Sequence, residues 1–310
     1  MSPAGPSLLV ALAASLALAH AVATAAARAP GGAARRFVAT PYARAGLAVT
    51  LFLTLIAVAA PLVAPYRPSL QLDIVALQNR PPGWPHVLGT DLLGRDVWSR
   101  VVYGARVSLG VGTLAAVLAA ALGTLVGVAA GAGGRRLDGV LMRLVDVGLA
   151  VPRIFLVLVV IAVGRRLGTV GLALLLGATG WFATSRLVRA DVLSLTRRPF
   201  VDAARALGAR PARVALRHLL PNAASTVLVS LALGIANTML LEAGLSFLGV
   251  GVEPPTASWG NMIADARDQL TAAPWSSLAP GIALTVAVMA LHALADGLHA
   301  ALDPRRATRT

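Results

Sequence analysis

Six apolar stretches, at roughly 45–64, 107–131, 141–163, 167–187, 223–247 and 278–299, dominate this sequence. Each approaches the ~20 residues an α-helix needs to cross a bilayer. In hydrocarbon the backbone N–H and C=O groups have no water to bond, so only helices and closed barrels can span. The period-two alternation of barrel strands is absent. The expectation is an all-α integral membrane protein with six core transmembrane helices. Alanine, glycine, valine and leucine fill the stretches, which suits close helix–helix contact. A seventh apolar stretch, Ser7 to Ala27, lies in an extension of residues 1–34. No basic n-region precedes it, so it does not read as a secretory signal. An additional span, a loosely associated helix and upstream sequence from a wrong start codon are all open readings of it.

Charged residues make up 13% of the chain, against about 25% in soluble domains. There is no cysteine, which excludes disulfides, a cysteine-zinc site and a thiol nucleophile. There is no lysine either, and all 27 basic residues are arginine. A lysine-bearing phosphate loop and a lysine Schiff base are therefore excluded. If ATP drives this protein, another chain binds it. In so apolar a chain the net charge of +14 points to cytoplasmic loops and lipid headgroups rather than nucleic acid. With the start of the 45–64 span inside, eighteen arginines fall in inside segments and eight outside, with Arg153 left within the third span. That bias predicts that both ends of the six-span core face the cytoplasm.

Two polar stretches stand out. The first runs from Gly89-Thr90-Asp91 through Gly94-Arg95-Asp96 to Arg106. At a 3.6 period Leu93, Val97, Trp98, Val101, Val102 and Ala105 share one face, with Arg95, Asp96, Ser99, Arg100 and Tyr103 opposite. Asp91 is placed to start a helix, and Asp91–Arg95 and Asp96–Arg100 have i,i+4 ion-pair spacing. The expectation is an amphipathic elbow at the membrane interface, leading into the second span. The second stretch, Arg186 to Pro221, holds eight arginines against Asp191 and Asp202. Pro199 suits a first helical turn, Phe200, Ala203, Ala204 and Leu207 form an apolar face, and Gly208 can end the helix left-handed. Pro211 then opens a second short helix, which Pro221 is expected to break. Two short helices meeting at a glycine corner read as a knob for a groove on a cytoplasmic partner.

At these stretches the sequence resembles the permease subunits of ATP-binding-cassette importers. Asp202-Ala203-Ala204-Arg205-Ala206-Leu207-Gly208-Ala209, with Leu219-Leu220-Pro221-Asn222, looks like their E-A-A loop. Gly89, Thr90, Asp91, Gly94, Arg95 and Asp96 narrow the resemblance to the C-type permease of the dipeptide/oligopeptide/nickel family. Further matching segments include Leu241-Glu242-Ala243, Ser246-Phe247-Leu248-Gly249, Pro254-Pro255, Ser258-Trp259-Gly260-Asn261, Ala273-Pro274-Trp275 and Asp296-Gly297. The departures are Asp202 for the usual glutamate, Arg165–Arg166 in a normally neutral turn, and the extension before Arg35. The resemblance covers about residues 42–306 and divides the chain into three parts. These are the extension 1–34, a first span and extracytoplasmic elbow at 35–106, and a permease transmembrane domain at 107–306 with its coupling loop at 199–221. It implies a multi-pass protein of the bacterial inner membrane, forming half of a pathway for peptides or a related small solute. The implied partners are a second permease subunit, two ATPase subunits carrying ATP and Mg, and an extracytoplasmic binding protein. The implied coupling residues are Asp202, Ala203, Ala204, Leu207, Gly208, Leu220 and Pro221, and no cofactor is expected on this chain.

Other polar residues carry more than one reading. Glu242, late in the fifth span, reads either as a pathway carboxylate or as one bonded to neighbouring helices. Asp146 has i,i−3 spacing to Arg143, which suggests an intrahelical ion pair. Arg153 follows Pro152 and can snorkel toward the surface. His292 and His299 lie two turns apart, and packing is favoured over metal binding. The 247–277 loop carries a net −2 and is expected outside, with Pro254 and Pro255 breaking any helix and Trp259 and Trp275 suited to the interface. It reads either as a receiver for the binding protein or as a re-entrant cap that seals the bundle. No hydrolase or metalloprotease motif is present. An intramembrane enzyme or a secondary transporter using Glu242 or Asp146 is the alternative, and neither explains the knob at 199–221.

Overall fold

The computed structural model describes residues 32–164 and 167–302. The Ser7–Ala27 stretch, Arg165–Arg166 and the residues after Leu302 lie outside these. A short helix α1 (Ala33–Ala39) leads to Thr40, where Pro41 at the first turn restarts the chain as α2 (Pro41–Val58). Two four-residue turns follow, α3 (Ala60–Val63) and α4 (Ile74–Leu77). The bundle continues with α5 (Val97–Ala132), α6 (Arg135–Ala150), α7 (Arg153–Val163) and α8 (Thr169–Leu195). Helix α9 (Pro199–Ala206) forms a corner before α10 (Pro211–Phe247). A small helix α11 (Trp259–Asp265) precedes the last helix, α12 (Trp275–Leu302).

Five of these helices are long and apolar enough to cross a membrane: α2, α5, α8, α10 and α12. The sixth expected span, 141–163, is not one straight helix. It is the pair α6 and α7, bent by 82° at Val151–Pro152. Proline lacks an N–H and disfavours helical backbone at the residue before it; Val151 is accordingly extended. A second difference lies at Pro221. The expected break does not occur, because the turn at Ala215–Leu219 widens to i→i+5 bonding, with Leu220 N–H reaching Ala215 C=O. The wider turn seats the proline ring, and α10 continues for 37 residues.

Small residues set how closely the helices approach. Gly123, Gly127 and Gly131 recur every four residues on α5 and face α8. A Cβ on Gly127 would lie 2.7 Å from the Ser185 carbonyl oxygen, and one on Gly131 would lie 2.6 Å from a Val192 methyl. On the other side, a Cβ on Gly46 of α2 would meet the Ala290 carbonyl of α12 at 2.6 Å. Without a hydrophobic force between helices in lipid, such contact is what holds spans together. Arg36 closes this corner by donating from Nε and Nη2 to the Ala301 carbonyl at 3.2 and 2.9 Å. A cation here complements the C-terminal end of α12. The core centres on Leu109, Ile235, Met239, Trp259, Leu284 and Leu291, which bring α5, α10, α11 and α12 together.

Gly127→Leu should lower the stability of the chain in detergent by about 1–3 kcal/mol, the usual cost of overpacking. Gly139→Leu is the control, since a Cβ there meets nothing within 4 Å. Thermal unfolding of the two variants followed by tryptophan fluorescence checks this.

Candidate functional site

The elbow is built differently from its amphipathic expectation. Residues 91–96 form a turn, and the helix starts at Val97 with Asp96 as its cap. Asp96 accepts from Ser99 N–H at 2.8 Å and Ser99 Oγ at 2.7 Å, and meets His86 Nδ1 at 2.9 Å. Its expected partner Arg100 instead pairs with Asp91 and Asp265, at 3.3 and 3.2 Å. The Asp91–Arg95 pair does form, at 2.7 Å, inside the turn. Arg95, Asp96, Ser99 and Arg100 are all buried. The polar face thus points inward, and elbow and second span are one 36-residue helix.

What covers that face is the segment between α10 and α12. Asp265 joins the guanidinium groups of Arg95 and Arg100, each at 3.2 Å. Burial pushes the Asp265 carboxyl above the usual carboxylate range, and Arg95 opposes the shift. Trp275 donates its indole N–H to the Thr90 carbonyl at 3.0 Å, and Trp259 donates to the Val101 carbonyl at 2.9 Å. Trp259 is 1% exposed, so it pins the cap rather than sitting at the lipid interface. The glycines fit the same crowding. Gly89 has a φ of 71°, and a Cβ there would lie 2.5 Å from the Arg80 carbonyl oxygen. Gly94 has a φ of 68° in the turn that lets Asp91 accept from Arg95 N–H at 2.9 Å.

Glu242 lies under this cap and is fully buried. It accepts from Ser246 Oγ at 2.7 Å, Ser258 Oγ at 2.9 Å and Ser108 Oγ at 3.4 Å. These serines come from α10, the start of α11 and α5. Of the two readings, the structure has the carboxylate bonded to neighbouring elements. Ser258 also forms a reciprocal capping box with Asn261, and the Ser108 hydroxyl accepts from Trp259 N–H at 3.1 Å.

The knob lies at the other end of α10. Gly208 adopts a φ of 79°. Ala209 N–H bonds Ala204 C=O at 3.0 Å and Gly208 N–H bonds Arg205 C=O at 2.9 Å, the paired closure of a left-handed helix end. Val201, Val214, Leu219 and Ala223 anchor the corner against Val188 and Val192 of α8. Asp202 and Ala203 are exposed, Ala204 is half-buried and Leu207 is 89% exposed. Leu220 and Pro221 lie not in the corner but within α10, directly after the widened turn at Ala215–Leu219.

Residues 123–308 match the family described as the binding-protein-dependent transport system inner membrane component. Residues 31–82 match the N-terminal TM domain of oligopeptide transport permease C. The chain is 44% identical over 273 residues to a peptide transport system permease protein of Brucella suis, covering 88% of this chain and 90% of the relative. It is 38% identical over 273 residues to the dipeptide transport system permease protein DppC of Bacillus subtilis, covering 87% and 84%. The chain belongs to the inner-membrane permeases of binding-protein-dependent transport systems. The permease is a multi-pass inner-membrane subunit that forms a channel rather than an enzyme, with ATP hydrolysis in separate subunits of the importer.

Within the permease, Asp146 bonds Arg186 of α8 rather than Arg143. Asp138 pairs in the same way with Arg189. Both pairs tie the bent segment to α8. Arg153 does not snorkel. Its guanidinium turns into the bundle and donates to the Leu176 carbonyl. His292 and His299 are exposed in the isolated chain, and His292 Nδ1 lies 2.9 Å from the Val288 carbonyl oxygen. No group of three metal-binding side chains occurs among the described residues. The sequence pattern does not single out Ser108 or His86, and it gives Ser258 only as part of a matching segment. For Ser258 a signal existed, since serine followed three residues later by asparagine can form a reciprocal cap. Nothing local marks Ser108, because its partners lie more than a hundred residues away.

Glu242→Ala should strand three buried serine hydroxyls at about 1–3 kcal/mol for each group left unsatisfied. The cap should loosen, so limited proteolysis in detergent should cut within 250–261 faster than in the parent chain. Unchanged proteolysis would mean that the carboxylate does not hold the cap.

Proposed function

We propose that this chain is one of two permease subunits in a peptide importer, coupled to a pair of ATPase subunits through the α9 corner. The carrying observation is that corner. It is anchored from behind by four buried side chains, yet Phe200 and Leu207 remain 40% and 89% exposed. A rigid apolar projection that the described residues leave largely uncovered suits insertion into a cleft of a partner. Asp202, Ala203, Ala204, Leu207 and Gly208 then form the docking surface, and Leu220 and Pro221 carry its movement into α10. Peptide as cargo is supported by the names of the relatives at 44% and 38% identity.

Two charge patterns support the orientation. The segment from Arg186 to Pro221 carries a net +6, and the 247–277 cap carries a net −2. They lie at opposite ends of α10, whose 37 residues span about 55 Å at 1.5 Å each. We place the arginine-rich end in the cytoplasm and assign the cap to the face that receives the binding protein. On this reading residues 35–106 serve the outer face, 107–306 form the pathway half, and 1–34 are an extension outside the machinery. The enzyme and secondary-transporter alternatives lose support, since Glu242 is committed to three serines and Asp146 to Arg186.

Gly208 tests the coupling role. A Cβ at Gly208 meets nothing within 4 Å, so only the left-handed backbone penalises a side chain there. Asparagine tolerates that conformation and β-branched valine does not. Gly208→Asn should keep uptake, while Gly208→Val should reach the membrane normally and lose it. Uptake at the parent rate in both variants would remove the docking assignment.

The cap is tested at Asp268, whose side chain is 79% exposed and stands apart from the Asp265 cluster. Asp268→Cys should react with an impermeant thiol reagent in intact cells. Asp268→Arg should weaken stimulation of ATP hydrolysis by loaded binding protein and spare basal hydrolysis. Labelling only after the cytoplasm is opened would reverse the orientation.

A further inference from the structure

Arg153 is the one arginine that the distribution between inside and outside segments leaves unassigned. It begins α7, immediately after the Val151–Pro152 bend. The contacted residues Leu176, Thr179 and Gly180 lie seven to eleven residues into α8, which is about 10–17 Å at 1.5 Å per residue. That is near the middle of a hydrocarbon layer about 30 Å thick. At this depth a charge is costly and needs a counter-ion or polar cover. Among the described residues no carboxylate pairs with Arg153. Its partners are the neutral Leu176 carbonyl and, at 3.5 Å from Nε, the Thr179 hydroxyl. Every acid near the bent segment is committed elsewhere, Asp146 to Arg186 and Asp138 to Arg189.

The guanidinium lines a cavity of about 380 Å³ between α5, the bend, α8 and α10. That lies in the range of small-molecule sites, about 300–1,000 Å³. Its polar lining is Arg153, Thr179, Thr184, Ser230, Asn237 and Thr238, one cation and five neutral groups. Gly180 makes room for the charge, because a Cβ there would lie 2.9 Å from Arg153 Nη2. The cavity thus offers a single uncompensated positive charge, with neutral hydrogen-bonding groups around it.

We propose that Arg153 is a transient binding group for the free carboxylate of the solute as it crosses the membrane. Resting on the peptide-importer reading above, this assigns the cargo a free C-terminal carboxylate. The neutral groups around the cavity suit peptide N–H and C=O. A pathway site has to be strong enough to admit the solute and weak enough to release it. A guanidinium already sharing donors with Leu176 and Thr179 meets that condition better than an unshared fork.

The test uses the whole importer in proteoliposomes, with both permeases, the ATPases and the binding protein. The probes are the alanine dipeptide and its C-terminal amide, each supplied at a concentration that saturates the binding protein. The parent importer should take up the acid about tenfold faster than the amide, the scale of one charge-assisted hydrogen bond. Arg153→Gln should reduce acid uptake to the amide rate, leave amide uptake unchanged and keep stimulation of ATP hydrolysis by loaded binding protein. Arg153→Lys should retain the preference for the acid. Gly180→Ala, which crowds the guanidinium without removing it, should lose part of the preference and covers the case in which Arg153→Gln fails to assemble. Equal loss of acid and amide would mean that Arg153 packs the bundle or pairs with the second permease, and would overturn the proposal. A change that follows only the anionic lipid content would assign Arg153 to phosphate headgroups and overturn it as well. Absence of uptake of either peptide by the parent importer would instead count against peptide as cargo.

Discussion

The capped end of this permease depends on one buried carboxyl group. Glu242 receives serine hydroxyls from α5, α10 and the segment opening α11. A carboxyl group away from water is costly unless its polar atoms find hydrogen-bond partners. Here the donors come from elements far apart in sequence, so satisfying the carboxylate also fixes their positions. Irregular backbone at membrane depth survives only when buried in protein. The segment 248–258 meets that condition through Ser246, whose hydroxyl accepts from Val252 N–H at 3.2 Å, and through Asn261, whose amide donates to the Val252 and Thr256 carbonyls. A serine-and-asparagine scaffold around one acid does here what a helix does elsewhere in the bundle.

The same economy explains the Gly89 to Asp96 motif. Read along the chain it offers two i,i+4 ion pairs on a helix. In space it is a tight turn whose charges are shared among Asp91, Arg95, Arg100 and Asp265. Replacing Asp91 or Asp265 leaves the two buried guanidinium groups of Arg95 and Arg100 short of a counter-charge, which is more damaging than the pair itself is stabilising. The motif is a structural clamp between the start of α5 and the cap.

Hydropathy made the spans legible, because length and apolarity alone settle a helix in lipid. Gly208 was legible too, since a helix ended by glycine between two prolines has few alternatives. What sequence could not show was the effect of distant neighbours. Arg95 and Arg100 look solvated until Asp265 and α11 cover them. Trp259 looks interfacial until its ring fills the space between α5, α10 and α12. Pro152 and Pro221 carry the same local penalty, yet the chain bends by 82° at one and runs on at the other. The difference lies in the widened turn at Ala215–Leu219, a tertiary accommodation that no period in the sequence marks.

That widened turn takes up a residue without changing the angular phase between the two ends of α10. One π-type turn holds one residue more than the α-helix around it, where each residue advances the side-chain direction by about 100°. The extra residue is accommodated within a single turn, so the α9 corner leaves the bundle on the face that an unwidened helix one residue shorter would present. Loss of one residue within Ala215–Leu219 that restores regular winding would keep the azimuth of the corner, whereas loss of one residue from the regular part of α10 would turn it by about 100°. The widened turn is therefore a place where length can vary by one residue without moving the surface that the corner presents.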